Sequence, residues 1–178
     1  MAPKYDHGNL WQYDAEVVVV TTNGYVTKAG ACVMGRGCAL EAKTNFPGIE
    51  LKLGAYIQQY GNRAFHLGRW TGGEGDAEWT FRIVSLPTKH KWNQNSDLAL
   101  IATGLQQLMA MADKFKWQHI VMPPPGTGNG HQPLADVLPL LDRLLDDRFT
   151  VLVPSTVRCA NGTYDWPGVK ANTEAQEV

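Results

Sequence analysis

"VMPPPGTGNGHQPLADVLPLLDRLLDD", residues 121–147, is the stretch whose reading decides the fold. An apolar run, "HIVMP" (119–123), leads into three alternating glycines, Gly126, Gly128 and Gly130. A strongly amphipathic segment follows, with Pro133 near its first turn and Leu134, Val137, Leu138, Leu141 and Leu145 on the face expected to be buried. Such a strand–glycine loop–helix joint strips side chains from one face of a loop. It leaves bare backbone N–H groups beside the positive end of a helix, which suits phosphate. A second joint of this kind lies upstream. "EVVVVTT" (16–22) is a continuous β-branched run, as expected of a strand buried on both faces, and "KAGACVMGRGCALEAK" (28–43) then supplies glycines and opens a helix. Two backbone-rich loops at matching points of two βα units predict a small, extended diphosphate ligand gripped from both sides.

Working outward, the elements alternate. "GCALEAKTNF" and "GIELKLGAYIQQYG" carry helical spacing, with Pro47 starting the second piece. "FHLGRW" and "EWTFRIVSLP" read as strands joined by "TGGEGDA", a predicted hairpin. Ser96 is the expected N-cap of a helix carrying Leu98, Ile101, Leu105, Leu108, Met109 and Ala112. "RFTVLVP" reads as the last strand. Strands alternating with helices mean an α/β fold. At 178 residues, with 44% hydrophobic and 19% charged, the chain suits one domain with a real core, expected over 1–170, with 171–178 a polar, frayed tail.

Other classes fall away. Formal net charge is −1, so no global basic field drives non-specific nucleic-acid binding, although a local basic patch stays open. The longest apolar run, Val17–Val20, is far short of the ~18–20 residues of a membrane span. The start, "MAPKYDHGNLWQYD", lacks the apolar stretch of a secretory signal, and Cys32, Cys38 and Cys159 show no zinc spacing. Reduced thiols, no metal, no membrane and a cytoplasmic setting are therefore expected. There is no G-x-x-x-x-G-K-[ST] loop. "GTGNG" is not G-x-G-x-x-G, and it sits too late for the first βα joint of a dinucleotide fold.

These stretches together resemble the macrodomains, which bind ADP-ribose, and the likeness runs from "GNLW" at Gly8 to Pro154. It implies a three-layer α/β/α sandwich with a mixed central sheet. "GNLW" resembles the opening G-D-[IL]-x, which implies Asn9 and Leu10 at the adenine, with Asn9 where the family has aspartate. "VMGRGCAL" (33–40) is similar to the V-M-G-[KR]-G-x-A-L signature of the branch holding the DarT–DarG antitoxin domains and the terminal ADP-ribose glycohydrolases. "PPPGTGNG" resembles the P-x-x-G-x-G-x-G loop that holds the diphosphate and distal ribose. The implied ADP-ribose contacts are therefore Cys32, Val33, Met34, Gly35 and Gly37 on the first loop, and Pro124, Gly126, Thr127, Gly128, Asn129 and Gly130 on the second. Asn23 is the candidate for the distal ribose. "GYVTKAGA" looks inserted relative to the antitoxin pattern, and Gly130 stands where the human-type terminal glycohydrolase has its catalytic aspartate.

"SLPTKHKW" (85–92) resembles the antitoxin segment in which the lysine is catalytic, which makes Lys89 the implied catalytic residue. Physically, a partly desolvated lysine can shed its proton near neutral pH and attack an anomeric carbon or its ring-opened aldehyde. Lys28, Arg36 and Lys91 are the expected cationic neighbours. His90 and His131 are candidates for a proton shuttle and a phosphate or ribose contact. The resemblance implies an ADP-ribosyl glycohydrolase acting as a monomer on an ADP-ribosylated macromolecule, thymidine in DNA among the candidates. No cofactor is implied beyond ADP-ribose as ligand or product. A non-catalytic ADP-ribose reader and an ADP-ribose 1″-phosphate phosphatase remain alternatives.

Overall fold

Val17, Val18, Val19 and Val20 are all at most 1% exposed, and they face two different cores. The computed structural model describes residues 2–72, 79–160 and 163–165. In chain order its elements are β1 (Lys4–Asp6), β2 (Val17–Asn23), α1 (Gly37–Asn45), α2 (Ile49–Tyr60), β3 (Phe65–Gly72), β4 (Trp79–Lys89), α3 (Leu98–Phe115), β5 (Ile120–Met122), α4 (Leu134–Leu144), β6 (Phe149–Leu152), β7 (Arg158–Ala160) and β8 (Thr163–Asp165). Val17 and Val19 pack with Ile101, Leu105 and Leu138 of α3 and α4. Val18 and Val20 pack with Ala42, Phe46, Ile49 and Leu53 on the α1 and α2 side. Side chains alternate across a strand, so a β-branched run without polar breaks glues helices to both faces of a sheet. The result is the expected three-layer sandwich.

The main sheet has the order β1-β6-β5-β2-β4-β3, and β7 pairs with β8 separately. β1–β6, β6–β5, β5–β2 and β2–β4 are parallel, whereas β3 and β4 are antiparallel, which makes the sheet mixed. The predicted hairpin is this β3–β4 pair; residues 73–78 of its connection, and the tail 171–178, lie outside the described residues. After β2 the chain builds outward to β4 and β3, and β5 and β6 then fill the opposite side. The order therefore reverses beside β2, and the crevice at the carboxyl ends of such strands is where open α/β sheets bind ligands. Among the described residues no helix is long and apolar enough to cross a membrane.

The structure differs from the sequence reading at three points. Asp97, not Ser96, caps α3: its Oδ1 accepts from Ala99 N–H (2.9 Å) and Leu100 N–H (3.3 Å). Ser96 is instead buried, and among the described residues its hydroxyl has no hydrogen-bond partner. Leu134, at the start of α4, is half-buried: it packs against the edge of the core that Val137, Leu138 and Leu141 enter fully. β1 was not anticipated at all. Its three residues pair with β6 through Tyr5↔Val151, and Tyr5 reaches across to Asp142 on α4 with its hydroxyl (2.6 Å).

Candidate functional site

The carboxyl ends of β2, β4 and β6, the segment after β5 and the two glycine loops enclose a cleft of about 880 Å3, in the size range of small-molecule sites. Its first wall is the stretch before α1. Residues 32–35 alternate: Cys32 and Met34 are each 2% exposed and belong to the core, whereas Val33 and Gly35 line the cleft. Asn23 ties this wall to β2, its Nδ2 donating to the Val33 carbonyl (2.7 Å) and its Oδ1 accepting from Tyr25 N–H (2.9 Å). Gly37 opens α1 at φ 58, and the preceding Arg36 supplies no side-chain cap. Leu40 N–H, bonded to the Arg36 carbonyl (3.3 Å), is the first to reach back one turn. The earlier N–H groups, at Gly37, Cys38 and Ala39, stand at the cleft wall with the positive end of the helix behind them.

The second wall is the loop from Pro124 to His131. Gly126 adopts the left-handed φ of 77, which favours glycine. The loop closes on its own carbonyls: His131 N–H donates to Gly128 (3.1 Å), Gln132 N–H to Gly126 (2.9 Å), and the Thr127 hydroxyl to Pro124 (3.0 Å). Ser96 N–H takes the Gly130 carbonyl (2.9 Å), and Gln132 Nε2 returns a bond to the Ser96 carbonyl (2.5 Å). Among the described residues, none accepts from the N–H groups of Thr127, Gly128, Asn129 or Gly130. Carbonyls used within the loop and N–H groups left over describe an anion nest. The three glycines differ in their duties. A Cβ at Gly130 would collide with Ser96 Oγ and approach the Gly126 carbonyl to 2.5 Å, whereas one at Gly128 would meet nothing within 4 Å. Gly128 lies outside the left-handed region, so its role is open space rather than backbone freedom.

Lys89 ends β4 opposite Asn23, just past a register shift in β2. Its carbonyl accepts from Gly24 N–H (3.0 Å) and Asn62 Nδ2 (2.9 Å), which fixes the backbone. Its amine lines the cleft and donates to the Asn129 carbonyl (2.8 Å), bridging to the second loop. Burial, with the Arg36 charge as a second cause, holds its pKa below the ordinary lysine value. Of the three cations expected near it, Arg36 lines the cleft and Lys28 and Lys91 do not. His131 lines the cleft, whereas His90 does not and bonds Asp97 instead (3.0 Å). Cys38 lines it beside Thr21 (3.2 Å), and burial pushes its thiol upward. The Cys32 thiol is pushed up to about 12 by burial, so it is inert. Among the described residues no three His, Cys, Asp or Glu side chains could hold a metal ion.

The cleft therefore brings together Lys89, Asn23, Val33, Gly35 and Gly37 with Pro124, Gly126, Thr127, Gly128, Asn129 and Gly130. Four sequence candidates lie elsewhere. Asn9 spends its Oδ1 on Trp11 N–H (2.9 Å), Leu10 packs on the α1–α2 core, and Cys32 and Met34 point inward; Gly8 lines the cleft in place of Asn9. Residues missed by sequence reading include Thr21 and Thr22 on β2, Thr88 on β4, Val153 and Pro154 after β6, and the rim from Asn93 to Asn95; Trp92, an aromatic that sequence alone leaves without a place, lines the cleft beside them. The strand-end residues carried a usable signal, since every parallel strand here opens its carboxyl end onto one crevice.

The macro domain family profile matches residues 30–141. A DNA ADP-ribosyl glycohydrolase from Thermus aquaticus is 28% identical over 144 residues, covering 80% of this chain and 38% of the relative. Its counterpart from Mycobacterium tuberculosis is 30% identical over 136 residues, covering 75% and 36%. The chain thus spans little more than a third of the length of these relatives. Among solved structures, the macrodomain of Mycobacterium tuberculosis DarG superposes with a TM-score of 0.65 at 27% identity, over 86% of this chain and 98% of that one.

Proposed function

The chain belongs to the macro domain family, and from that membership we propose that it hydrolyses the glycosidic bond of an ADP-ribosylated macromolecule, with thymidine in DNA as the substrate. The names of the two curated relatives support the choice of DNA. The observation that carries the chemistry is the composition of the cleft: among the described residues its lining holds one lysine and neither Asp nor Glu. A diphosphate fits between the α1 N-terminus and the nest at 127–130 without meeting like charge. Paired-carboxylate glycoside hydrolysis, by contrast, needs two acids flanking the bond, and none stands among the described lining residues.

Lys89 fills the gap. In its neutral form the Nζ lone pair attacks the anomeric carbon of the distal ribose while the bond from that carbon to the base breaks. The base leaves with the bonding electrons and takes up the proton that Nζ sheds. Water then attacks the same carbon, breaks its bond to Nζ and releases ADP-ribose, returning the amine. A lowered pKa keeps more amine neutral at working pH, which is what this step requires.

The test offers the protein an oligonucleotide carrying ADP-ribosyl-thymidine and, separately, a protein carrying ADP-ribosyl-glutamate. Free ADP-ribose is expected from the DNA, with Lys89→Ala slower by at least ~100-fold and its ADP-ribose affinity within a few-fold, because backbone groups hold the diphosphate. Tight ADP-ribose binding with no release from either substrate would establish a reader instead. Activity surviving Lys89→Ala would discard the lysine mechanism.

A further inference from the structure

One rim of the cleft is used by neither the diphosphate cradle nor the lysine chemistry: Trp92, Asn93, Gln94 and Asn95, four consecutive lining residues. Trp92 is 53% exposed, although an indole buries a large apolar area when a partner is at hand. Among the described residues no aromatic ring packs on it. The segment is held in place. Gln94 N–H bonds the Lys91 carbonyl and Gln94 Oε1 accepts from Lys91 N–H, both at 3.2 Å, while Asp97 N–H closes the base of the loop on Thr88 (2.9 Å). Trp92 lies three positions after Lys89, so their Cα atoms are at most about 11 Å apart. A half-exposed indole and a row of side-chain amides thus line the same cleft as Lys89, on a turn that hydrogen bonds hold three positions further along the chain.

We propose that this rim is a nucleobase subsite: the base that bears ADP-ribose stacks on Trp92 while the amides of Asn93, Gln94 and Asn95 bond its polar edge. An aromatic face serves any base, and side-chain amides present both donors and acceptors to a base edge. In a duplex both faces of a base are already stacked and its pairing edge is occupied. The substrate is therefore an unpaired or extruded nucleotide. A protein carboxylate has no face to stack, so an ADP-ribosylated acidic side chain gains nothing from this rim. The inference rests on the proposed DNA substrate, and binding and turnover are measured separately so that the two can fail separately.

The experiment uses Lys89→Ala protein as a binder and titrates it with free ADP-ribose, an ADP-ribosylated single-stranded oligonucleotide, its annealed duplex, and an ADP-ribosyl-glutamate peptide. The single strand should bind roughly tenfold tighter than ADP-ribose, the scale of one base–aromatic stack, and the duplex and peptide should show no such gain. Adding Trp92→Ala should erase the gain, Trp92→Phe should keep most of it, and both should leave affinity for ADP-ribose within about twofold. In the active protein, Trp92→Ala should raise KM for the single strand by the same factor. No gain for the single strand, a gain that survives Trp92→Ala, an equal loss of ADP-ribose affinity, or an equal gain with the peptide would each overturn the subsite. A Trp92-dependent gain in a protein that releases no ADP-ribose would keep the subsite and overturn the hydrolase.

Discussion

Replacing Gly130 by alanine tests whether the second loop is a close-packed cradle. The added methyl would overlap Ser96 Oγ, approach the Gly126 carbonyl oxygen to 2.5 Å and the Gly126 carbonyl carbon to 2.9 Å. Ordinary contact begins near 3.5 Å, so the carbonyl has to retreat by about 1 Å. Gly126 cannot retreat alone, because its carbonyl accepts from Gln132 N–H (2.9 Å) and a Cβ at its own position would meet Ile101 Cδ1 at 2.8 Å. Overpacking of this kind costs about 1–3 kcal/mol. The N–H groups at 127–130 move with the loop, and an offset of about 1 Å takes a hydrogen bond out of its useful range. Gly130→Ala should therefore lower the denaturation midpoint and weaken ADP-ribose binding by roughly tenfold or more, about 1.4 kcal/mol. Ser96→Ala alone should be near neutral, because the deleted hydroxyl is buried without a described partner. The double variant should recover part of the loss, since it removes one of the two collisions. Urea titration and calorimetry with ADP-ribose read both quantities. Wild-type stability and affinity in Gly130→Ala would refute the close-packed cradle.

Gly128→Val should fold with wild-type stability, because no described residue lies within 4 Å of its Cβ position, yet lose most ADP-ribose affinity in calorimetry by filling the space at the nest. The pH profile of kcat should rise as Lys89 loses its proton, with a midpoint below the ordinary lysine value; Arg36→Gln removes a neighbouring positive charge and should move that midpoint to higher pH. A rate that falls as pH rises would mean that the ammonium is the working form. His66 is held neutral chiefly by burial and further by Arg82 and Lys52, so its folded pKa lies below its unfolded one. Its share of stability is present above about pH 6.5 and is lost as pH falls through that value toward the folded pKa. His66→Leu should flatten the acid side of the stability curve, measured by urea midpoints at several pH values.

How far the sequence spoke depended on how local the deciding physics was. The β2 valines and the face of α4 announce themselves through periodicity, and both glycine loops lie where their strands and helices demand. The alternation at 32–35 was equally local: in extended backbone, one cleft-facing residue puts its neighbours on the other side, so Val33 and Gly35 in the cleft send Cys32 and Met34 to the core. That signal was present and outweighed by motif resemblance. β1 was not legible, because "KYD" becomes a strand only when β6 offers Thr150 and Val151 as partners. The choice of cap between Ser96 and Asp97 was likewise tertiary. Both side chains suit an N-cap, but the Ser96 backbone is committed to Gly130 and Gln132, which leaves Asp97 at the helix end. Trp92 closes the "SLPTKHKW" stretch and is an aromatic open to a base in sequence alone, but Asn93, Gln94 and Asn95 read as polar surface until the cleft wall is seen.

The absence of an acid at position 130 is a property of packing as well as of sequence. Glycine there lets Ser96 Oγ sit where a side chain would begin, while Ser96 N–H holds the Gly130 carbonyl. An aspartate at this site would need a rebuilt loop, because its Cβ would meet Ser96 Oγ and the Gly126 carbonyl. The arrangement also decides what Lys89 can do. A carboxylate beside the amine would favour its ammonium form and raise its pKa. The partner here is the neutral Asn129 carbonyl, which accepts one N–H and leaves the lone pair of an unprotonated amine free. Burial and Arg36 then push toward that unprotonated state. In the proposed function, one wall that is acid-free among the described residues serves both ends: it leaves the diphosphate without like charge and leaves Lys89 without a carboxylate that would hold it as ammonium.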